Sequence, residues 1–206
     1  SRGIVLIFDE CTSGFRQTLG GLHKLYGVEP DMAMFGKALG NGYAITATIG
    51  KSEIMEAAQT SFISSTFWSE RIGPTAALKT IEVMEREKSW ETITAIGNKV
   101  RDSWKSLATK HDLDIKISGL PAISSFSFEG PNMLQYKTFI TQEMLAKGYL
   151  ASNVLFSCTE HTPEIIEGYL TELDTIFGQI RKCEDGSDIK KLLKGPVCHS
   201  GFKRLN

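Results

Sequence analysis

Apolar residues run without a break from Ile4 to Phe8 and stop at the polar pair Asp9-Glu10. An unbroken run rich in β-branched residues predicts a parallel strand covered on both faces. Pro30 to Phe35 reads as a second short strand ended by Gly36, and Ala44 to Ile49 alternates like a third. Ser52, with Glu53 in the first turn, starts a helix. From Pro74 to Glu87, Ala77, Leu78, Ile81, Val83 and Met84 recur at helical spacing. Ile93, Ile96, Val100, Trp104 and Leu107 then form one stripe of a second helix, from Trp90 to His111.

The hand-over near Lys88-Ser89 is the expected domain boundary. Beyond it the pattern predicts strands over Ile115 to Ile117 and Ala122 to Phe128, a helix over Tyr136 to Lys147, a strand over Tyr149 to Phe156, and a last helix. That helix has a clear start, with Thr162 as N-cap, Pro163 at the first helical position and Glu164 in the first turn. Its apolar stripe runs from Ile165 and Ile166 through Tyr169, Leu170, Leu173 and Ile176 to Phe177. The order is that of an α/β protein: a first domain over 1–88, a smaller α+β domain over 89–182, and a tail over 183–206.

A formal net charge of −1, with both signs mixed along the chain, offers no basic stripe for nucleic acid. No apolar run is long enough to span a membrane. Cys11, Cys158, Cys183 and Cys198 are widely spaced and form no CxxC pair, as expected of reduced thiols in a cytoplasmic protein. His23, His111 and His199 lack carboxylate or cysteine companions at ligand spacing, so no metal site is expected. The chain opens directly on what reads as a central strand, which is expected of the back half of a longer protein.

The chemistry concentrates around Lys37, in Phe35-Gly36-Lys37-Ala38-Leu39-Gly40-Asn41-Gly42-Tyr43, just past the second strand. Asp9 stands at the end of the first. Ligand sites of open parallel sheets lie beyond the carboxyl ends of the strands, so the two residues are expected to line one crevice. A partly buried lysine flanked by glycines and a strand-end carboxylate suit pyridoxal phosphate: an amine for a Schiff base and a negative charge for the pyridine ring. A strand-end Asp alone is more often a cap, and a lone Lys is usually a solvated charge; their combination carries the reading.

Asp9-Glu10-Cys11-Thr12-Ser13-Gly14-Phe15-Arg16, then Val28-Glu29-Pro30-Asp31, then Phe35 to Gly42, resemble the class III aminotransferases, and most of all their glutamate-1-semialdehyde aminomutase-like branch. The resemblance implies a partial fold-type I architecture, pyridoxal 5'-phosphate as cofactor, a small amino or oxo substrate and a homodimer with a shared active site. Asp9 would pair with the pyridine nitrogen and Lys37 would form the Schiff base. Cys11 falls where a small apolar side chain packs on the ring, and Thr12 where Gln or Met is usual, within reach of the ring hydroxyl. Ser65-Thr66-Phe67 matches a Thr-Thr-Phe segment whose second threonine reaches the cofactor phosphate of the neighbouring subunit. That role falls to Thr66, helped by N–H groups at the following helix start.

After Phe67 the family continues Gly-Gly-Asn-Pro, whereas this chain has Trp68-Ser69-Glu70-Arg71. Trp68 and Arg71 are therefore candidate substrate residues, with an ion pair from Arg71 to Glu70 or Glu82 as the bland alternative. Many relatives hold a substrate carboxylate with an Arg late in the chain, and Tyr149 to Thr159 contains none. The pattern points to amino-group transfer by an aminotransferase or aminomutase. Alternatives are an amino-sugar or other biosynthetic aminotransferase, an epimerase or decarboxylase with the same cofactor, and a non-catalytic dimerisation scaffold. The segment alone is expected to bind the cofactor weakly and turn nothing over.

Overall fold

The computed structural model describes residues 3–201. Ser1, Arg2 and residues 202–206, the ends of the expected first domain and tail, lie outside the described residues. Strand β1 (Ile7–Asp9) pairs in parallel with β2 (Met32–Phe35), and β2 pairs antiparallel with β3 (Ala47–Gly50), in the order β1-β2-β3. Asp9 is level with Met34 in this register. Strand β3 runs back because its connection to β2 is short, and a parallel return needs a longer crossover.

The expected burial of β1 on both faces is not met within the chain. Ile4 is 78 % exposed, and Val5, Leu6 and Ile7 are exposed too. Among the described residues β1 has β2 as its single neighbour, which leaves one edge unpaired; Phe8 packs on the core of its unit while Ile4 to Ile7 stay exposed. Its start is instead fixed by Asp31, whose carboxylate accepts from the Leu6 N–H at 2.8 Å.

Helix α1 (Ser52–Met55) begins at Ser52 as expected, with Lys51 in the cap position. Helix α2 (Ile72–Glu87) presents Ala77 and Ile81 to a small core of Ala33, Phe35 and Leu39, with Phe8, Phe15, Ile45 and Ala47 packed around it. Lys88, in the left-handed region at φ 49°, breaks the chain between α2 and α3 (Ser89–Lys110).

The chain divides between Ile93 and Thr94, inside α3, into two compact units. The second is built on an antiparallel sheet, β4 (Ile115–Leu120), β5 (Ile123–Phe128) and β6 (Val154–Phe156), in sequence order. Strand β4 runs three residues beyond the expected Ile117, because a tight hairpin pairs Leu120 with Ile123. Strand β6 is shorter than expected, with its register set by Val154 to Phe156.

One face of β5 buries Ser124, Phe126 and Phe128. With α3, α4 (Met133–Ala146) and α5 (Pro163–Glu184), it encloses Val100, Trp104, Tyr136, Ile140, Leu173 and Phe177. Trp104 donates from Nε1 to the Tyr169 hydroxyl at 2.9 Å, so the buried polar tips of both rings are satisfied. The cap of α5 forms as the sequence indicates: the Thr162 hydroxyl accepts from Ile165 N–H, and Pro163 opens the helix.

The described part of the expected tail packs on the second unit. Ile189 joins the core, and Gln142 on α4 binds the Leu192 carbonyl and the Lys194 N–H at 2.9 and 2.6 Å. Among the described residues no helix is long and apolar enough to cross a membrane.

Candidate active site

The parallel register of β1 and β2 sets the site. Both strands end on the same side of the sheet, so Asp9 and the turn that carries Lys37 leave together. After Phe35 the chain enters a 3-10 turn, Lys37–Leu39, and Lys37 itself has φ 44°. A non-glycine residue held in the left-handed region is strained, and such strain persists where the surroundings impose it, often at functional sites. The glycines serve the path of the loop more than room for the lysine. A Cβ on Gly40 would lie 2.1 Å from the Tyr43 carbonyl oxygen, and Gly42 turns at φ 107°.

Asp9 accepts a hydrogen bond from the Cys11 N–H at 3.0 Å. That bond, then the Cys11 thiol, hold its carboxyl below the ordinary Asp range; burial opposes them, and the charge of Lys37 adds a weaker pull downward. Asp9 is therefore a carboxylate at neutral and mildly acidic pH. Burial first, and the Asp9 carboxylate second, push the Cys11 thiol up, so it remains a neutral donor. Lys37 Nζ donates to the Thr12 hydroxyl at 2.5 Å.

Asp9, Cys11, Thr12 and Lys37 thus form one cluster at the end of the sheet. Lys37 is exposed, contrary to the partial burial expected, although Leu39 two residues on is buried against α2. A solvent-open cavity of ≈ 570 Å³ lies beside it, lined by Lys37, Gly42, Tyr43, Ala44, Ile45 and Thr46. That falls within the roughly 300–1,000 Å³ of small-molecule sites.

The other candidates stand apart from this cluster. Thr66, Trp68 and Arg71 are all exposed, Trp68 at 73 %. Among the described residues no hydrogen bond or ion pair joins them to Asp9, Cys11, Thr12 or Lys37. Neither expected partner holds Arg71. Glu82 pairs with Lys79 and Arg86, and Glu70 turns back onto the start of α2. The Glu70 carboxylate accepts from the N–H groups of Ile72 and Gly73, the latter at 3.1 Å.

A negative charge there complements the helix dipole. It also occupies the N–H donors expected to help Thr66 with a phosphate. The helix start still adjoins the cavity, since a Cβ on Gly73 would meet the Ala44 carbonyl oxygen at 2.6 Å.

A second polar group beneath the site escaped the sequence pattern. Glu10 is 1 % exposed. One carboxylate oxygen accepts from the His23 N–H at 2.9 Å and meets His23 Nδ1 at 3.1 Å; the other accepts from the Ser13 hydroxyl. His23 is not isolated, and neither is His111, whose Nε2 lies 2.6 Å from Asp174. Their partners are distant in sequence, which is why ligand-type spacing missed them. No group of three His, Cys, Asp or Glu among the described residues is placed to hold a metal ion.

Burial raises the Glu10 carboxyl, but hydrogen bonds from Ser13, the His23 and Leu22 N–H groups and the His23 ring more than offset it, for a net fall below the ordinary Glu value. A depressed folded pKa contributes stability that is complete above the unfolded value and lost as pH falls through the folded one. Glu10→Gln is expected to cost about 1–3 kcal/mol at neutral pH, because buried charge-assisted bonds are lost. Urea unfolding at pH 7 and below pH ~4 checks this: the gap between wild type and variant should close in acid.

Known proteins extend this picture. The family model for Aminotransferase class-III matches residues 1–166. The 3-aminobutyryl-CoA aminotransferase of Cloacimonas acidaminovorans (strain Evry) is 40% identical over 139 residues, covering 67% of this chain and 34% of that protein. The glutamate-1-semialdehyde 2,1-aminomutase of Methanococcoides burtonii is 30% identical over 181 residues, 83% of this chain and 42% of its own. The chain therefore spans less than half the length of these curated relatives.

Among solved structures, the Sphingopyxis sp. MTA144 FumI protein in its PLP internal aldimine form superposes with a TM-score of 0.83 at 23% identity, over 93% of this chain and 47% of that one. The likeness shows the fold: α/β, part of a fold-type I transferase.

Proposed function

Because the chain belongs to the class-III aminotransferase family, we propose that the full-length protein transfers amino groups between small amino and oxo substrates with pyridoxal 5'-phosphate, and that Lys37 and Asp9 are its central residues. The observation that carries this reading is the shared strand end. The parallel register brings a carboxylate held ionised and a strained, solvent-facing lysine to one end of the sheet, with a cavity beside the lysine. The donor set fits the cofactor: Lys37 offers an amine for covalent attachment, Asp9 a fixed negative charge for the pyridine nitrogen, and Cys11 a small neutral side chain beside it.

Bound there, pyridoxal phosphate supplies an electron-withdrawing ring that stabilises negative charge on the substrate carbon. Lys37 then serves as the proton carrier at that carbon, and Asp9 keeps the ring nitrogen protonated. Thr66 is assigned to the cofactor phosphate of a second subunit in a homodimer with a shared site. Exposed apolar residues around it, Phe62 at 95 % and Phe67 at 62 %, support an interface at that segment. A cytoplasmic location fits the four free cysteines.

For the substrate, two observations agree. The relative at 40% identity is named for an aminoacyl-CoA, in which a thioester replaces the free carboxylate. The stretch Tyr149 to Thr159 carries no Arg to grip a carboxylate. A substrate with an uncharged acyl group near its amine is therefore preferred over a free α-amino acid. The test is a substrate screen with the full-length protein, following loss of the cofactor's visible absorbance. β-Aminoacyl thioesters should react faster than glutamate 1-semialdehyde or free β-amino acids; the reverse order would remove this preference.

A further inference from the structure

The Thr12 hydroxyl faces the lysine across the cluster at the end of the sheet. Lys37 Nζ donates to Thr12 Oγ1 at 2.5 Å, the single hydrogen bond of that amine among the described residues. The residue is not on a loose loop. Its carbonyl accepts from Arg16 Nε at 2.7 Å, and the Gly14 N–H donates to the Glu10 carbonyl at 2.8 Å. On the other side the Cys11 N–H is tied to the Asp9 carboxylate at 3.0 Å. Below, Glu10 anchors the turn through Ser13 and His23. The hydroxyl of a residue in a hydrogen-bonded turn thus meets the end of a long side chain.

We propose that Thr12 is a positioning residue for Lys37: its hydroxyl accepts a hydrogen bond from Nζ and so fixes where the amine stands when it is not bound to cofactor. This rests on the reading of Lys37 as the cofactor-binding, proton-carrying lysine. It replaces a contact from Thr12 to the ring hydroxyl. A lysine amine has three rotatable donors on a four-carbon stem, so without an acceptor its position is spread over many rotamers. A displacement of about 1 Å in a reacting group can cost about 10²-fold in rate. The side chain of Val has nearly the shape of Thr and removes the acceptor; Ser keeps the acceptor and removes a methyl group.

The experiment uses the full-length protein as wild type, Thr12→Val and Thr12→Ser, first without cofactor. Trace acetylation is read by peptide mass spectrometry, with Lys24 and Lys79 as internal references. Loss of one hydrogen bond should change the Lys37 labelling rate at least about threefold in Thr12→Val, with Thr12→Ser at the wild-type rate.

With pyridoxal phosphate added, Thr12→Val should keep the wild-type absorbance band and KM. Its kcat should fall about tenfold or more, with a larger isotope effect from substrate deuterated at the amine-bearing carbon. Unchanged Lys37 labelling in Thr12→Val overturns the proposal. So does a shifted band with an unchanged isotope effect, which would place the hydroxyl on the ring. A wild type that forms no band on Lys37 would remove the cofactor reading, while the labelling result still decides whether Thr12 holds the lysine.

Discussion

Lys37→Ala is expected to abolish the visible cofactor band of the full-length protein and to lower amino transfer by roughly 10²–10⁴-fold or more. Two functions are lost with one amine. The cofactor loses its covalent anchor, and the substrate carbon loses its proton carrier. The backbone at this position makes the interpretation cleaner. Lys37 is exposed and lies in a strained turn at φ 44°, so removing its side chain leaves no cavity and breaks no packing. Thermal unfolding of the variant should match wild type within about 0.5 kcal/mol, as for a surface change. Lost activity with retained stability would locate the effect in chemistry. Retained amino transfer in Lys37→Ala would exclude the lysine from it.

The second large effect is expected at Asp9. Asp9→Asn keeps the size of the side chain and can still accept from the Cys11 N–H. It removes the charge that the Cys11 N–H, the Cys11 thiol and Lys37 together hold ionised. Without that charge the ring nitrogen has no counter-ion to keep its proton, and the developing negative charge on the substrate carbon is poorly stabilised.

A fall of about 10²–10³-fold in kcat is expected, the scale seen when a preorganised electrostatic partner is removed. Covalent attachment at Lys37 should persist. Steady-state kinetics combined with the absorbance spectrum separate the two variants: Lys37→Ala loses band and rate, whereas Asp9→Asn keeps a band and loses rate. An Asp9→Asn protein with wild-type kcat would contradict the role given to this carboxylate.

The parts of the fold that can be read from the chain alone are those governed by local rules. Thr162-Pro163-Glu164 starts α5 because a cap, a preset φ and a dipole partner are all local. The stripe of Val100 and Trp104 on α3 is likewise a matter of helical period. That Asp9 and the Lys37 turn leave the sheet at the same end was legible because two strand ends of a parallel pair must fall on one side.

The remainder depends on partners that periodicity does not name. The run Ile4 to Phe8 states that a strand needs covering but not where the cover comes from, and among the described residues Ile4 to Ile7 stay exposed. The direction of β3 depends on the length of the return, which alternation does not encode. Glu10 and His23 are brought together by the β1–β2 connection rather than by spacing. Glu70 resembles any surface acid until its two bonds to the start of α2 are seen.

The central claim is that Lys37 is the residue that takes up the cofactor. Borohydride reduction of the full-length protein after incubation with pyridoxal phosphate, followed by peptide mapping, tests it most directly. The account predicts one stoichiometric pyridoxyl label on the peptide that contains Phe35 to Tyr43, carried by Lys37. Label scattered over surface lysines such as Lys24, Lys51 and Lys79, with none enriched at Lys37, would contradict it and leave a non-catalytic dimerisation scaffold as the better reading.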